Sequence, residues 1–212
     1  MDLIDAMTSN GTCREYRPDP VPPAVLRQVL AAAQLAPSGG NRQPVRFIVV
    51  TDPALRQQLK DWYLPHWNAY IDAARQGTVT LDAIPRTVQR ADYFANRLEQ
   101  VPALIVVCAR LADCHATDTA LGRLSVVGGA SIYPAVQNLL LAARNEGLGT
   151  ALTTLLCLEE RRVKVLLDIP DDIATAATVA IGYPAQPFPK RLGRKKLAGI
   201  AFSNRYGAAL AD

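Results

Sequence analysis

Apolar residues recur every three to four positions in two long stretches of the chain, and this spacing is typical of amphipathic helices. In the first stretch the apolar positions are Val25, Leu26, Val29, Leu30 and Ala33. Pro22 and Pro23 precede it, and proline favours the first turn of a helix. In the second stretch they are Ile132, Val136, Leu139, Leu140 and Ala143. Gly147 follows at the position of a C-terminal cap, so a long, central and buried helix is predicted there.

Short apolar runs predict the strands of a sheet. They cover residues 47–51, 103–108, 150–155 and 176–183. Further helices are predicted at residues 3–8, from Asp52 and Pro53 toward Leu59, and at 158–167. Residues 60–100 mix aromatic and charged side chains, with breaks at Gly77 and Pro85. One or two helices are expected there, which either cover a site or form a peripheral pair. Because helices outnumber strands without strict alternation, residues 1–212 are predicted to form one α+β domain.

Composition narrows the possible classes of function. Half of the 212 residues are hydrophobic and 20% are charged, as in a globular domain. The net charge of +4 is scattered and no nucleic-acid motif accompanies it, so no nucleic-acid partner is expected. Apolar runs are too short to span a membrane, and residues 1–5 do not resemble a secretory signal, so a cytoplasmic location is predicted. The four cysteines form no CxxC, and no metal site is predicted.

The densest basic segment covers residues 190–196, which read KRLGRKK. Such a run is either a solvated surface or a site for a phosphate group, because clustered arginine and lysine side chains bind phosphate oxygens well. The residues of the run alone leave both interpretations open.

Residues 36–45, APSGGNRQPV, connect the first apolar helix to a predicted strand. Two glycines let the backbone approach a flat ligand, and the hydroxyl and amide side chains supply directional hydrogen bonds. Proline, serine, glycine and asparagine are also common in ordinary connections. On its own, the segment therefore indicates either a ligand-binding loop or a plain helix-to-strand connection.

Four separated segments, taken together, resemble motifs of the FMN-dependent nitroreductase-like flavoproteins. They are TCREY at 12–16, APSGGNRQPV at 36–45, GLGTALTT at 147–154, and GYP at 182–184 followed by Arg194 and Lys195. The second motif usually ends in tryptophan, where this chain has Val45. The pair Thr153 and Thr154 is most similar to the branch that holds iodotyrosine deiodinase and the flavin-fragmenting enzyme of vitamin B12 synthesis.

The resemblance implies a three-layer α-β-α sandwich with a mostly antiparallel central sheet, an intertwined homodimer, and FMN as cofactor. The residues it assigns to the cofactor are Thr12, Arg14, Ser38, Gly39, Asn41, Thr153, Thr154, Arg194 and Lys195. Arg14 is expected at the N1 and C2 carbonyl edge of the flavin, where a fixed cation stabilises the reduced ring. Thr154 is expected to reach N5, and Arg194 with Lys195 to hold the phosphate. No catalytic acid or base is expected, because the flavin carries the chemistry.

The activity that the resemblance implies is transfer of a hydride from NAD(P)H, through flavin N5, to a small-molecule acceptor such as a nitroaromatic or a quinone. Two alternatives stay open: a flavin- or nucleotide-binding store or sensor, and an oxygen-dependent enzyme that consumes its own flavin. The chain departs from the family at Asn10 and Gly11, where a pair of phosphate-binding arginines is usual. Each lost charge-assisted hydrogen bond is worth roughly 1.5–3 kcal/mol, so the departure bears on cofactor affinity.

Overall fold

The structure is a computed structural model that describes residues 1–75 and 85–210. Its α-helices are α1 (Leu3–Ser9), α2 (Pro23–Ala33), α3 (Pro53–Arg75), α4 (Arg86–Ala95), α5 (Tyr133–Asn145) and α6 (Glu160–Leu166). Its strands are β1 (Val45–Val50), β2 (Ala103–Arg110), β3 (Gly149–Thr153) and β4 (Ile173–Gly182).

The strands form one sheet in the order β1-β2-β4-β3, and each neighbouring pair is antiparallel. Successive side chains of a strand point to opposite faces. On β2, Leu104 and Val106 therefore pack with α3 and α4, whereas Ile105 and Val107 pack with α2 and α5. Helices cover both faces of the sheet, which confirms the predicted α+β sandwich with an antiparallel centre.

Local signals set the start of α3 and the end of α5. The Asp52 carboxylate accepts hydrogen bonds from the backbone N–H groups of Ala54 (2.8 Å) and Leu55 (3.1 Å), so α3 begins at Pro53. Helix α5 ends just before Gly147, which has a φ of +75° that a glycine adopts without strain.

Helix α3 is much longer than predicted, since it continues past Leu59 to Arg75. Pro65 lies inside it and cannot donate the usual hydrogen bond to the preceding turn. The helix nevertheless continues because one face is buried at a spacing of four residues, by Leu59, Tyr63, Trp67 and Ile71.

A further predicted boundary differs from the structure. β3 ends at Thr153 rather than Leu155, because Thr154 turns to φ −119° and ψ 0° and residues Leu155–Glu159 form a 3-10 helix. The predicted break at Gly77 lies outside the described residues, and Pro85 precedes α4 as predicted.

Candidate functional site

The N-terminal segment after α1 is held against β3, the edge strand of the sheet. Thr12 forms a parallel β-bridge with Thr150, and the Cys13 N–H donates to the Thr150 carbonyl at 2.8 Å. A Cβ at Gly149 would lie 2.6 Å from the Cys13 Sγ, so this close approach requires a glycine. The backbone around Arg14 is therefore fixed beside the end of the sheet.

A cavity of about 370 Å³ opens between this segment, β3 and helices α3 and α4. Four residues predicted from sequence line it together: Thr12, Arg14, Thr153 and Thr154. The opposite wall is aromatic and consists of Tyr63, Trp67, Tyr70 and Phe94. The α3 aromatics recur at i, i+4 and i+7, and this pattern could have indicated the wall from sequence.

Arg14 is a half-buried cation without a counterion in the part of the chain that the structure describes. Its guanidinium makes no hydrogen bond or ion pair with a described residue, whereas nearby Arg90 pairs with Glu15 at 3.6 Å. Burial and the positive charge of Arg90 both lower the pKa of Arg14. A cation in this position gains stability when a negatively charged or electron-rich group enters the cavity.

Tyr63 was not singled out by the sequence, yet it contributes the most buried hydroxyl of the cavity wall, with 3% of the residue exposed. The Thr153 hydroxyl donates to the Tyr63 Oη at 3.4 Å, and the Leu155 N–H donates to the Thr153 Oγ1 at 3.5 Å. Burial raises the pKa of Tyr63, so the phenol is neutral at physiological pH.

Helices α3 and α4 are joined above the cavity. The Trp67 indole N–H on α3 donates to the Asp92 carboxylate on α4 at 2.8 Å. His66 on α3 also lies 2.8 Å from the carboxylate of Glu159, which belongs to the 3-10 helix after β3. The arrangement combines aromatic surface on one side with a cation and hydroxyls on the other. It suits a planar ring that carries negative charge along one edge.

The loop that contains Ser38, Gly39 and Asn41 lies elsewhere in the chain. The Gly39 N–H donates to the Ser131 Oγ at 3.0 Å and the Gln43 N–H to the Ser38 Oγ at 2.9 Å. This loop leads into β1, which is separated from β3 by three strand spacings, or about 14 Å. The loop is also displaced by about 10 Å from Thr153 along the strand direction. The strand registers place Thr153 level with Ile48, which is three residues after Val45, where the loop ends. One chain therefore does not bring the loop and Arg14 together.

A larger cavity of about 640 Å³ borders that loop between α2, β1 and the start of α5. Its lining includes Arg27, Arg46 and Ser131. None of the residues predicted to bind a cofactor line it, so its size alone does not make it the site.

The basic segment lies beside the residues that precede Thr12. The Leu192 N–H donates to the Thr8 carbonyl at 2.9 Å, and a Cβ at Gly11 would lie 2.9 Å from the Pro189 Cγ. A third cavity, of about 320 Å³, lies between residues 11–15 and the segment that ends at Pro189. Arg194 and Lys195 follow this segment in the chain and are exposed. They line neither this cavity nor the one beside β3, and Arg194 donates to the Gly193 carbonyl at 2.8 Å.

Within residues 1–75 and 85–210, no three His, Cys, Asp or Glu side chains form a group that could hold a metal ion. Among the same residues, no helix combines the length and the apolar character needed to cross a bilayer.

The chain belongs to the Nitroreductase family, which it matches over residues 9–183. Its fold is the nitroreductase fold, since it superposes with a TM-score of 0.73 on oxidized iodotyrosine deiodinase bound to FMN and 3-iodo-L-tyrosine. That likeness covers 97% of this chain and all of the deiodinase chain at 24% sequence identity. The predicted family and fold class are confirmed.

Two curated relatives cover most of the chain. A protein named NADH dehydrogenase from Thermus thermophilus is 30% identical over 189 residues, which are 88% of this chain and 90% of the relative. A 5,6-dimethylbenzimidazole synthase from Rhodobacter capsulatus is 32% identical over 184 residues, which are 86% and 83% of the two proteins. The family and these relatives support an oxidoreductase.

Proposed function

We propose that the protein is an FMN-dependent oxidoreductase that takes a hydride from NAD(P)H and passes it to a small-molecule acceptor such as a nitroaromatic or a quinone. The observation that carries the proposal is the Arg14 guanidinium, which pairs with no described residue and lines the cavity between β3 and the aromatic wall. Membership of the Nitroreductase family and the NADH dehydrogenase relative support it.

The residues of the cavity fit a flavin. When bound, FMN supplies hydride transfer, and the negative charge that develops at its N1 and C2 carbonyl edge calls for a fixed cation. Arg14 would hold that edge, Thr12 would contact the cofactor beside it, and Thr153 and Thr154 would lie along the ring. The cavity volume of about 370 Å³ is within the range of small-molecule sites.

Phosphate binding is assigned to the basic segment. Gly11 lets Pro189 and Leu192 pack directly on the N-terminal segment, and this contact brings residues 190–196 close to positions 10 and 11. Arg194 and Lys195 would there supply cations that the N-terminal segment lacks at Asn10 and Gly11.

The protein's own groups orient the reactants and exclude water. Tyr63 and Trp67 would contact a planar molecule through the edges that line the cavity, whereas the exposed Tyr70 marks the mouth through which it enters. NAD(P)H and the acceptor would use this opening in turn, because each exchanges a hydride with the same bound cofactor.

We propose further that the working unit is a homodimer in which the loop of Ser38, Gly39 and Asn41 completes the site of the other protomer. The proposal follows from the sheet order, which separates this loop from Arg14 within one chain. A hybrid dimer tests it: one chain carries Arg14→Ala and its partner carries Gly39→Trp. Among the described residues, a Cβ at Gly39 would meet only the Ser131 Oγ within 4 Å, at 3.7 Å, so a side chain can leave the backbone here without a clash.

The hybrid dimer has one intact site if the loop acts across the interface. In that site the wild-type loop of the Arg14→Ala chain meets the wild-type Arg14 of the Gly39→Trp chain. It has none if each loop serves its own chain. We expect about one FMN per hybrid dimer and less than that in either parent homodimer. A hybrid that binds no FMN would refute the exchange of loops.

A second candidate function is oxygen-dependent consumption of the flavin. It is favoured by the 5,6-dimethylbenzimidazole synthase relatives, one from Rhodobacter capsulatus and one from Rhodospirillum rubrum, each 32% identical to this chain. In this reaction the flavin would be the substrate and would be lost from the protein during turnover.

One experiment separates the candidates. FMN-loaded protein is mixed with NADH or NADPH in air, with and without 1,4-benzoquinone, and both nicotinamide and flavin are followed. Oxidation of nicotinamide that depends on quinone, with flavin unchanged, supports the oxidoreductase. Loss of flavin in the presence of oxygen supports the second candidate. Bound flavin that reacts with neither reductant would indicate a store or sensor and would refute both.

A further inference from the structure

The hydroxyl of Tyr63 has one hydrogen-bond partner in the described part of the chain, the Thr153 hydroxyl. Its oxygen accepts from the Thr153 hydroxyl at 3.4 Å, and the Thr153 oxygen in turn accepts from the Leu155 N–H at 3.5 Å. The Thr153 oxygen already accepts one hydrogen bond, and the Tyr63 O–H can donate a hydrogen bond into the cavity that it lines. Because Tyr63 is 3% exposed and lines the cavity, that hydrogen bond is directed to a cavity occupant rather than to bulk water.

Other polar groups of the cavity wall are less suited to donate a proton. The Trp67 indole N–H is already bonded to Asp92 at 2.8 Å, and Tyr70 is 61% exposed. Arg14 remains charged, since an arginine does not release its proton in a protein. Cys13 lines the separate cavity of about 320 Å³ beside Pro189, where its thiol donates to the Glu15 carbonyl at 3.2 Å.

We propose that Tyr63 donates a hydrogen bond, and then a proton, to the oxygen of the acceptor that is reduced in this cavity. The inference rests on the proposed oxidoreductase function and assigns it a proton donor. It favours acceptors with a carbonyl or nitro oxygen on a planar ring, because such a molecule presents an oxygen to Tyr63 while it contacts the aromatic wall.

The step balances for a quinone. Reduction to the hydroquinone requires one hydride equivalent, which the nicotinamide supplies through the cofactor, and one proton. The Tyr63 Oη–H bond breaks as an O–H bond forms on the acceptor, and the tyrosinate then recovers a proton from water. The positive charge of Arg14 favours the transient tyrosinate. The Thr153 hydroxyl, which already donates to the same oxygen, stabilises it further.

The test compares Tyr63→Phe with Tyr206→Phe, which removes a phenol hydroxyl from a residue that is 96% exposed. FMN-loaded protein is first reduced with NAD(P)H and then mixed with either 1,4-benzoquinone or ferricyanide. Ferricyanide accepts electrons without a proton. We expect Tyr63→Phe to slow reoxidation by benzoquinone about 10²-fold, as for loss of a general acid, and to leave reoxidation by ferricyanide unchanged.

Two further readouts separate proton donation from a structural effect. The solvent deuterium isotope effect on benzoquinone reduction should become smaller in Tyr63→Phe, because the contribution of the Tyr63 proton is lost while that of the exchangeable hydrogens of the reduced cofactor remains. The Kd of 4-hydroxybenzaldehyde for the oxidised protein, in the absence of any turnover, should rise about tenfold, because one neutral hydrogen bond is lost.

The Thr153 variants test the hydrogen bond between Thr153 and Tyr63. Thr153→Ser, which keeps the hydroxyl, should retain the benzoquinone rate, and Thr153→Val should lower it. Equal slowing with ferricyanide and benzoquinone in Tyr63→Phe, or no slowing with either, would overturn the proposal. If wild-type protein binds FMN but NAD(P)H does not reduce it, the proposed function fails instead, and the two failures are distinguishable.

Discussion

Replacement of Arg14 by glutamine should affect the empty protein and the FMN-bound protein in opposite directions. In the empty protein the half-buried guanidinium has no counterion among the described residues and its pKa is lowered by burial and by Arg90. Removing its charge therefore removes a desolvation cost and a repulsion. We expect the melting temperature of FMN-free Arg14→Gln to equal or exceed that of the wild type.

In the FMN-bound protein the same change removes a charge-assisted interaction with the flavin ring. Such an interaction contributes about 1.5–3 kcal/mol, which corresponds to a rise in the Kd for FMN of about 10- to 150-fold. The reduction potential of bound FMN should also become more negative, because the anionic reduced ring loses its cation. Quenching of FMN fluorescence gives the Kd, and differential scanning fluorimetry of the FMN-free protein gives the melting temperature.

Arg17→Gln is the matched control. Arg17 is three residues away and makes an exposed ion pair with Asp19 at 3.3 Å, so the Kd for FMN should stay within about twofold. If Arg14→Gln binds FMN as tightly as the wild type, Arg14 does not contact the cofactor. If it instead lowers the melting temperature of the FMN-free protein by several degrees, Arg14 stabilises the fold and the reasoning is refuted.

Three further predictions concern the phosphate, the N-terminal segment and acid stability. Arg194→Ala should weaken binding of FMN but not of riboflavin in fluorescence titrations, with Arg161→Ala as an exposed control on α6; equal weakening of both ligands would show that Arg194 does not hold the phosphate. Gly11→Arg, although it restores the residue type usual in the family, should destabilise the protein by about 1–3 kcal/mol in urea unfolding, because its Cβ would lie 2.9 Å from the Pro189 Cγ; unchanged stability would show that the tail is loosely held. Hydrogen bonds from Ser125, the Val126 N–H and Arg123 lower the pKa of Asp118 from 3.8 to about 2, so wild-type protein should be more stable than Asp118→Asn above pH 4. The difference in the free energy of unfolding between the two proteins should vanish as the pH falls toward 2. A difference that does not change with pH would refute this prediction.

The fold was largely predictable because its central elements have strong local patterns. Residues 103–108 form a continuous apolar run that is buried on both faces, and α5 has a regular apolar stripe ended by Gly147. Helix α3 was predicted too short, because its apolar residues alternate with charges and Pro65 interrupts it. Its length depends on burial against the sheet, a tertiary effect that the local sequence does not contain.

The candidate site was predictable only in part. The structure brings Thr12, Arg14, Thr153 and Thr154 into one cavity, because the N-terminal segment pairs with β3. The distance between the residue 36–45 loop and that cavity follows from the strand order, which periodicity does not reveal. Tyr63 was missed because its role depends on its hydrogen bond with Thr153, and the two residues are 90 positions apart in the sequence.

In the proposed function, Arg14 and its neighbours hold an FMN that NAD(P)H reduces. The most direct measurement is an anaerobic titration of FMN-reconstituted protein with NADH and with NADPH, followed by the visible absorbance of the flavin. We expect a yellow protein that is bleached within seconds by at least one nicotinamide and recovers its colour on addition of 1,4-benzoquinone. A protein that retains no FMN, or one that stays yellow with both nicotinamides, would contradict it.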